Sequence, residues 1–438
     1  MPLRYESLLE PFFGAMKPRP RWRVGTEAEK FAVDAKTGTA VGYEGDRSIV
    51  AVLRHLQESH GWTPTFELPG GPIIGLERAG ARVTLEPGGQ IELSSTPADG
   101  ILALAEESRS HLGELEQVSA DLGIGWLAVG FHPFARSEDL PWVPKLRYPI
   151  MREYFPRRGR RGLDMMRRTC TLQVNVDYES EEDALRKLRL ALKLTTFVTA
   201  MAANSPFIEG RITGEKCERA RVWLDVDPDR QGLLPRMWSP RSTIRDYVEW
   251  ALDAPMFLFK RDGSVIANTG QTFRSFLIDG YQGHRAEMAD WELHIRTLFP
   301  EVRLKNTIEM RGADALPAHL AAGLPALWTG ILYDDRALSD AETLVEIFDF
   351  AGMQALRHDV AVRALGARLG QRPIADIAQQ IVAIARDGLG RRGRGESELL
   401  EPLAELVDRA ECPADPLVRD LPAEPAARRL EILARTRA

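Results

Sequence analysis

The chain has 438 residues, of which 44% are apolar and 27% charged, the composition of a globular protein with a sizeable core. Its formal net charge of -6 argues against a general nucleic-acid binder, which would need an excess of Lys and Arg. No apolar run reaches the roughly 20 residues that span a bilayer. The three cysteines form no CxxC pair, which argues against a disulfide framework or a structural zinc site. We therefore expect a cytoplasmic protein without a nucleic-acid or membrane partner.

Apolar periodicity and turn residues predict the elements in chain order. The first half is predicted as a short amphipathic helix and Pro/Arg-rich turn (1–20), a strand (22–33), a helix (46–60), strands separated by Gly/Pro turns (64–96), a long helix (98–122), a strand (124–131), a loop (137–163), a strand (168–178) and a helix (181–203). The second half is predicted as an irregular segment (204–243), a helix (242–252), a hairpin (254–268), a strand (301–311) and mostly helix from about residue 316. This irregular order favours an α+β fold with a largely antiparallel sheet.

Several predicted strands pair an apolar face with a polar face, because alternate side chains of a strand point the same way. In VGTEAEKFAVD, Glu27 and Glu29 share a face. In VTLEPGGQIELS, Gln90 and Glu92 share a face, which Glu86 joins if the Pro-Gly-Gly kink turns it that way. The polar faces of RTCTLQVNVDY and VRLKNTIEMRG consist of Thr169, Thr171, Gln173, Asn175 and Asp177, and of Arg303, Lys305, Thr307, Glu309 and Arg311.

Two interpretations fit these polar faces. Each strand alone is typical of a sheet with one face in water. Taken together, five glutamates would repel one another on one surface unless cations held them together. Clustered carboxylates suit Mg²⁺ or Mn²⁺, and Mg²⁺ usually accompanies phosphate. The glycine pair Gly88-Gly89 would then aim two metal ligands, Glu86 and Glu92, from a single strand.

Other chemistries find little support in the sequence. The chain contains no GxxxxGK[ST] phosphate loop, no GxSxG elbow and no HExxH pair. Cys170 falls on the apolar face of its strand, and His132 precedes a proline at a strand end, so we interpret both as structural.

Seven segments resemble, in the same order, the plant-type glutamate–cysteine ligases that also occur in many proteobacteria. They are GTEAEKF, LEPGGQIELS, LDMMRRTCTLQVNVDY, ANSPFIEG, FPEVRLKNTIEMRGAD, LPALWTGILYD and ARDGLGRRG, and the resemblance covers residues 22–405. The resemblance implies a carboxylate–amine ligase related in fold to glutamine synthetase, with a curved, mainly antiparallel sheet and helices on its outer side. It also implies a catalytic domain over 1–340 and a helical C-terminal region over 341–438 packed on the same domain.

The resemblance implies ATP-dependent joining of the L-glutamate γ-carboxylate to the L-cysteine amine through an acyl phosphate, the first step of glutathione synthesis. Two or more Mg²⁺ ions, replaceable by Mn²⁺, would assist. The resemblance assigns the metal to Glu27, Glu29, Glu86, Glu92, Glu309 and Gln173, and the transferred phosphoryl group to Arg311 beside Glu309. It assigns substrate binding to Arg152, Arg219, Thr171 and Asn175, for which a structural ion pair or a strand-face hydrogen bond is the competing interpretation.

Several points stay open in the sequence. The sequence ERARVWLDVDPDR departs from the usual family pattern, so Arg219 and Arg221 are alternatives for the substrate-binding arginine. A γ-glutamyl ligase using another amine would keep the same glutamates, whereas a non-catalytic homologue predicts that some would be missing. Redox regulation through Cys170 is not expected, and the protein is expected to be a monomer or homodimer.

Overall fold

The structure is a computed structural model that describes residues 3–438. Within these residues, nine strands form one open sheet in which every neighbouring pair is antiparallel. They are β1 (Val24–Asp34), β2 (Thr63–Phe66), β3 (Ile73–Arg78), β4 (Ala81–Leu85), β5 (Ile91–Ser94), β6 (Ile124–Leu127), β7 (Leu172–Val176), β8 (Val302–Leu304) and β9 (Ile308–Met310). Their order is β8-β9-β7-β1-β5-β4-β3-β2, and β6 pairs with the C-terminal half of β1.

Helices make up most of the remaining structure. Those of six or more residues are α1 (Ile49–His60), α2 (Ile101–Leu122), α3 (Arg147–Tyr154), α4 (Gly162–Arg168), α5 (Glu181–Met201), α6 (Glu218–Trp223), α7 (Ile244–Asp253), α8 (Phe273–Asp279), α9 (Met288–Ile295), α10 (Gly323–Leu332), α11 (Asp335–Val345), α12 (Phe350–Arg363), α13 (Ile374–Arg392), α14 (Glu401–Asp408) and α15 (Pro425–Arg435). Four further antiparallel or parallel pairs of short strands lie outside the main sheet, the longest being Leu258–Arg261 with Ser264–Ala267. No helix in residues 3–438 combines the length and apolarity that a membrane crossing requires.

The two faces of the sheet differ in what covers them. Val174 and Val176 of β7 lie on the helix-covered face, where α5 packs on β8 and β9 and α10 packs on β7 and β1. The Ser180 hydroxyl caps α5 by accepting from the Asp183 N–H, and acids fill the first helical turn. Helices α11 to α14 also contact α5, so this helix is buried on nearly every side. The helical layer therefore covers the apolar face of the sheet, and the polar face lies on the opposite side.

The expected α+β fold with a largely antiparallel sheet and a helical C-terminal region is confirmed. Three segments differ from the sequence predictions. The predicted strand 301–311 is the hairpin β8–β9, because the polar Lys305–Thr307 segment turns the chain. The predicted loop 137–163 contains α3, and the irregular segment 204–243 contains α6. Residues 1 and 2 of the predicted N-terminal helix lie outside the described residues, and the rest forms a short 3₁₀ turn and Glu10–Phe13.

The helices after residue 340 join the same helical layer as those before it. Helices α12, α13 and α14 contact α5, and α13 packs along α10. The last helix, α15, places Ile432 and Leu433 in a small core with Phe31 and Val33 of β1. A domain boundary at residue 340 stays a prediction.

Candidate active site

Four of the predicted acids meet on the face of the sheet opposite the helices, which we call the acidic face (Glu27, Glu29, Glu92 and Glu309 with Gln173). Glu29 of β1 lies directly across from Glu92 of β5, and Glu27 lies across from Gln173 of β7. Glu309 of β9 is one strand further on, across from Asn175. The alternation of side chains in four antiparallel strands therefore brings together residues separated by up to 282 positions in the chain.

The fifth predicted acid, Glu86, reaches the site from a turn. Residues 86–90 connect β4 to β5, so Glu86 lies in the turn and Glu92 on the second strand of the hairpin, and the prediction that both extend from one kinked strand is wrong. Gly89 has a φ of +83°, and a Cβ on Gly88 would clash with the Arg167 backbone. The glycine pair therefore serves the turn and its close contact with α4.

Burial and mutual repulsion perturb the acids on β1 and β5. Burial, together with the charges of Glu309 and Glu92, raises the pKa of Glu27 to about 7. The pKa of Glu29 is also raised by burial and then by Glu86 and Glu92. Burial and Glu86 raise the pKa of Glu92, although hydroxyls of Thr84 and Ser94 donate to it at 2.8 and 2.9 Å. These carboxylates are arranged at an energetic cost that a cation would relieve.

Glu309 has the opposite environment, because three cations surround it. Arg303 donates two hydrogen bonds to its carboxylate at 2.6 and 3.0 Å, Lys305 lies at 2.7 Å and Arg311 at 3.0 Å. Burial alone would raise the pKa of Glu309, but these three cations hold it well below the usual range. Glu309 therefore orients Arg311 and stays ionised.

The residues present fit a Mg²⁺ site only in part. Among residues 3–438, no three His, Cys, Asp or Glu side chains lie close enough to hold a metal by themselves. Mg²⁺, however, keeps several waters and usually takes only one or two carboxylates besides substrate phosphates. The oxygen-only donors and the raised pKa values of Glu27, Glu29 and Glu92 fit a cation that arrives with a phosphate.

A cavity of about 240 Å³, the central cavity, opens beside the acidic face. Glu29, Glu86 and Gln90 contribute its polar floor, and its wall includes the partly buried Arg311. The cavity is also lined by three further arginines, three methionines and four aromatic residues: Arg147, Arg219, Arg296, Met151, Met165, Met166, Tyr148, Trp223, Phe257 and Phe299. Anionic substrate groups and a small apolar side chain could both be accommodated there.

The two alternative arginines of α6 are separated by the structure. Arg219 is buried and lines the central cavity, with its guanidinium donating to the backbone oxygens of Arg311 and Gly312 at 2.7 and 3.3 Å. Arg221 is exposed and lies near His358. Of the two, only Arg219 can act at the site, and its hydrogen bonds also hold the Arg311 backbone in position.

The other residues predicted to bind substrate do not all lie at the site. The Thr171 hydroxyl donates to the Ala313 carbonyl at 2.6 Å, and the Asn175 amide donates to Glu27 at 3.0 Å. Gln173 accepts a hydrogen bond from Arg311. Arg152 is exposed on α3 and stacks over Trp142 outside the central cavity, so the structure does not bring it to the site.

Sequence reasoning missed most of the residues that line the central cavity, among them Arg147, Tyr148 and Trp223. Arg147 and Tyr148 belong to α3, which was expected to be loop, although Tyr148, Met151 and Tyr154 bury one face at helical spacing and could have revealed the helix. The Trp223 indole N–H is buried and has no hydrogen-bond partner within residues 3–438. No motif marks this donor, since its neighbours come from distant segments.

Comparison with known proteins bears on this arrangement. The model of glutamate-cysteine ligase family 2 (GCS2) matches residues 23–431. The chain is 40% identical over 420 residues to the chloroplastic glutamate–cysteine ligase of Brassica juncea, covering 95% of this chain and 81% of the relative. It is also 40% identical over 420 residues to that of Arabidopsis thaliana, covering 95% and 80%.

Solved structures show the same fold at low identity. The glutamate–cysteine ligase of Francisella tularensis in complex with AMP matches with a TM-score of 0.54 and 13% identity, covering 95% of this chain and 88% of that one. The bifunctional glutathione synthetase of Pasteurella multocida matches with a TM-score of 0.52 and 12% identity, covering 98% and 53%.

The fold and site thus define an enzyme of the ATP-dependent carboxylate–amine ligase class. The chain belongs to the glutamate–cysteine ligase family, whose known reaction is the ATP-dependent first step of glutathione synthesis.

Proposed function

We propose that this protein uses ATP to join the L-glutamate γ-carboxylate to the amine of L-cysteine, and that the acidic face and the central cavity carry out the reaction. A carboxylate is a poor electrophile, so one γ-carboxylate oxygen first attacks the γ-phosphorus of ATP and ADP leaves. The amine nitrogen then attacks the acyl carbon, loses a proton and expels phosphate, giving γ-glutamylcysteine. The observation that carries this proposal is a buried carboxylate cluster lying beside an arginine-lined cavity.

The metal ligands would be Glu27, Glu29, Glu86, Glu92 and Glu309, with Gln173 as a further oxygen donor. Mg²⁺ held by these residues would offset the negative charge of the nucleotide phosphates. Support comes from the raised pKa values of the acids on β1 and β5, because such carboxylates gain stability from a cation. Glu309 is the weakest member, since three cations already bind its carboxylate.

Arg311 would contact the phosphoryl group as it transfers. Its guanidinium is held by Glu309 and Gln173, and it lines the central cavity, so it is aimed before substrates bind. A pre-aimed cation stabilises developing negative charge without having to reorganise during the reaction. Glu309 would thus support catalysis mainly by positioning Arg311.

Amino-acid carboxylates would be bound by Arg219 and by Arg147, which takes the role expected of Arg152. Arg147 lines the central cavity, whereas Arg152 lies outside it. Thr171 and Asn175 would position the site through their bonds to Ala313 and Glu27. The roles of Arg219 and Arg147 depend on the planar guanidinium group, which can bind a carboxylate with two parallel hydrogen bonds.

The amine substrate would place its short side chain against the sulfur and aromatic lining of the central cavity. Met151, Met165 and Met166 are buried there, and sulfur atoms of methionine adapt to small apolar or thiol groups. The same lining would accept 2-aminobutyrate, so a γ-glutamyl ligase for another amine is the second candidate.

Release of ADP by the purified protein with MgATP and L-glutamate tests the proposal across L-cysteine, L-2-aminobutyrate and other amines. We expect turnover that requires glutamate and is fastest with cysteine. Faster turnover with another amine would support the second candidate, and no turnover from folded protein with Mg²⁺ or Mn²⁺ would refute both. Arg311→Met should lose activity, whereas the exposed Arg221→Met is the matched control and should retain it.

The proposed compartment is the cytoplasm and the proposed assembly a monomer or homodimer. The unpaired, buried Cys170, Cys217 and Cys412 support a reducing compartment. Neither nucleic acid nor membrane is proposed as a partner. Size-exclusion chromatography with light scattering would determine the assembly.

A further inference from the structure

Lys30 is a buried cation that the proposed reaction does not use. It follows Glu29 in β1, so it points to the helix-covered face, away from the acidic face. Its side chain is only 8% exposed, and no hydrogen bond or ion pair from residues 3–438 reaches its ammonium group. Buried lysines are normally paired, because an isolated buried charge is costly.

Lys30 lies at the floor of a cavity of about 470 Å³, which we call the rear groove. Thr26, Ala28 and Leu93 form much of the floor, Glu29, Ser95, Thr171 and Leu172 also border it, and one wall is α2. The opposite wall comes from the segment before α10, the start of α10, and the turn before α14 with its first turn. It is mostly apolar: Leu316, Ala318, Ala321, Ala322, Pro325, Leu399 and Pro402. The groove thus combines apolar walls with one unpaired cation at its base.

The charged groups around the groove leave Lys30 without a neutralising partner. Glu29 also borders the groove, but its side chain belongs to the acidic face and forms no ion pair with Lys30. At the rim, Arg109 pairs with Glu106 of the same helix, and His319 and Glu398 are exposed. The Lys30 ammonium group therefore keeps a free hydrogen-bonding site toward the groove.

We propose that the rear groove binds a small monocarboxylate with an apolar body, its carboxylate against Lys30. One cation matches one negative charge, whereas a phosphate dianion would leave charge uncompensated between apolar walls. The volume lies within the range of small-molecule sites, and apolar walls favour a hydrocarbon body. Because Glu29 and Lys30 alternate in β1, the ligand would occupy the opposite face of the sheet from the catalytic site.

Ligand-observed NMR titration of the full chain with sodium hexanoate tests this proposal. Hexanoate should bind more tightly than acetate, by roughly fourfold for each methylene that becomes buried, and at least about tenfold more tightly than hexanol, which lacks the charge. Inorganic phosphate should not displace it. L-Glutamate with a non-hydrolysable MgATP analogue should not displace it either, because those ligands would occupy the central cavity.

Two variants and one control locate the site. Lys30→Met should weaken hexanoate binding at least about tenfold and remove its advantage over hexanol. Ala105→Phe, which fills the groove from α2, should abolish binding while leaving the cation in place. Lys36→Met changes an exposed lysine of the next turn and should have no effect. Equal binding of hexanoate and hexanol by the wild type, displacement by glutamate, or full hexanoate binding by Ala105→Phe would overturn the proposal, even if Lys30→Met failed to fold.

Discussion

Replacing Glu27 with Gln should stabilise the metal-free protein at alkaline pH, which is unusual for a change in an active site. Glu27 is buried among like charges, and its pKa is raised to about 7 from the ordinary 4.5, first by burial and then by Glu309 and Glu92. Protonation therefore stabilises the fold at low pH, and that stabilisation is lost as the pH rises from about 4.5 to about 7. A neutral Gln avoids the loss and can still accept the hydrogen bond from Asn175.

The magnitude follows from the two pKa values. A pKa difference between 4.5 and about 7 corresponds to about 3 kcal/mol of unfolding free energy. The Glu27 side chain is 20% exposed, so solvent screens little of this effect. We expect Glu27→Gln to exceed the wild type by up to about 3 kcal/mol at pH 8 in EDTA, and to match it near pH 4.5.

Urea unfolding in EDTA from pH 5 to pH 8 provides the assay, with unchanged m-values as the criterion for comparing midpoints. In a parallel series without EDTA, adding MgATP should stabilise the wild type more than the variant, because the variant has a neutral amide in place of a charged carboxylate. Glu58→Gln on the exposed side of α1 is the matched control and should stay within about 0.5 kcal/mol of the wild type at every pH. A variant less stable than the wild type at pH 8, or a difference independent of pH, would refute the reasoning.

Other perturbations have equally definite outcomes. Arg311→Met should lower kcat/KM by about 10²- to 10³-fold, while the exposed Arg221→Met leaves it unchanged; equal losses in a steady-state assay would contradict the role given to Arg311. Gly89→Ala should cost about 1–2 kcal/mol in urea unfolding, because Gly89 has a φ of +83° and its Cβ would crowd the neighbouring α1 and Pro141. Dithiothreitol should leave the initial rate unchanged, since all three cysteines are buried and unpaired, and a rate that rises on reduction would contradict this. Two segments, 137–163 and 204–243, contribute to the walls of the central cavity, and we expect them to close over bound substrates and exclude water. With MgATP and glutamate bound, both should be cleaved more slowly by trypsin, as measured by mass spectrometry of the products. Unchanged cleavage would argue against this closure.

The acidic face was predictable because the side-chain period of a strand is independent of the rest of the fold. Alternation in β1, β7 and β9 placed Glu27, Gln173 and Glu309 on one side, and this held even though 301–311 is a hairpin. A two-strand hairpin with a polar turn keeps the parity of Arg303, Glu309 and Arg311, so the wrong element still led to the right face.

The central cavity was not predictable in the same way, because its walls come from segments whose meeting depends on tertiary packing. Arg147, Trp223 and Phe257 come from three separate segments, and nothing local marks them as neighbours. Arg152 shows the converse error, since the resemblance assigned it to the substrate, whereas its side chain is exposed and stacks over Trp142 outside the central cavity. The local sequence pattern thus predicts which residues share a face of a strand or helix. Which distant segments pack against one another can be seen only in the folded structure.

The most direct test of the account is the fate of oxygen in the γ-carboxylate of L-glutamate. With both γ-oxygens labelled with ¹⁸O, the account predicts that one label appears in inorganic phosphate and the other in the amide of the product, because the carboxylate oxygen attacks ATP and later leaves with the phosphoryl group. The transfer should require Mg²⁺, ATP and the amine. Product formation with phosphate free of ¹⁸O would contradict the acyl phosphate, and with it the roles assigned to the acidic face and Arg311.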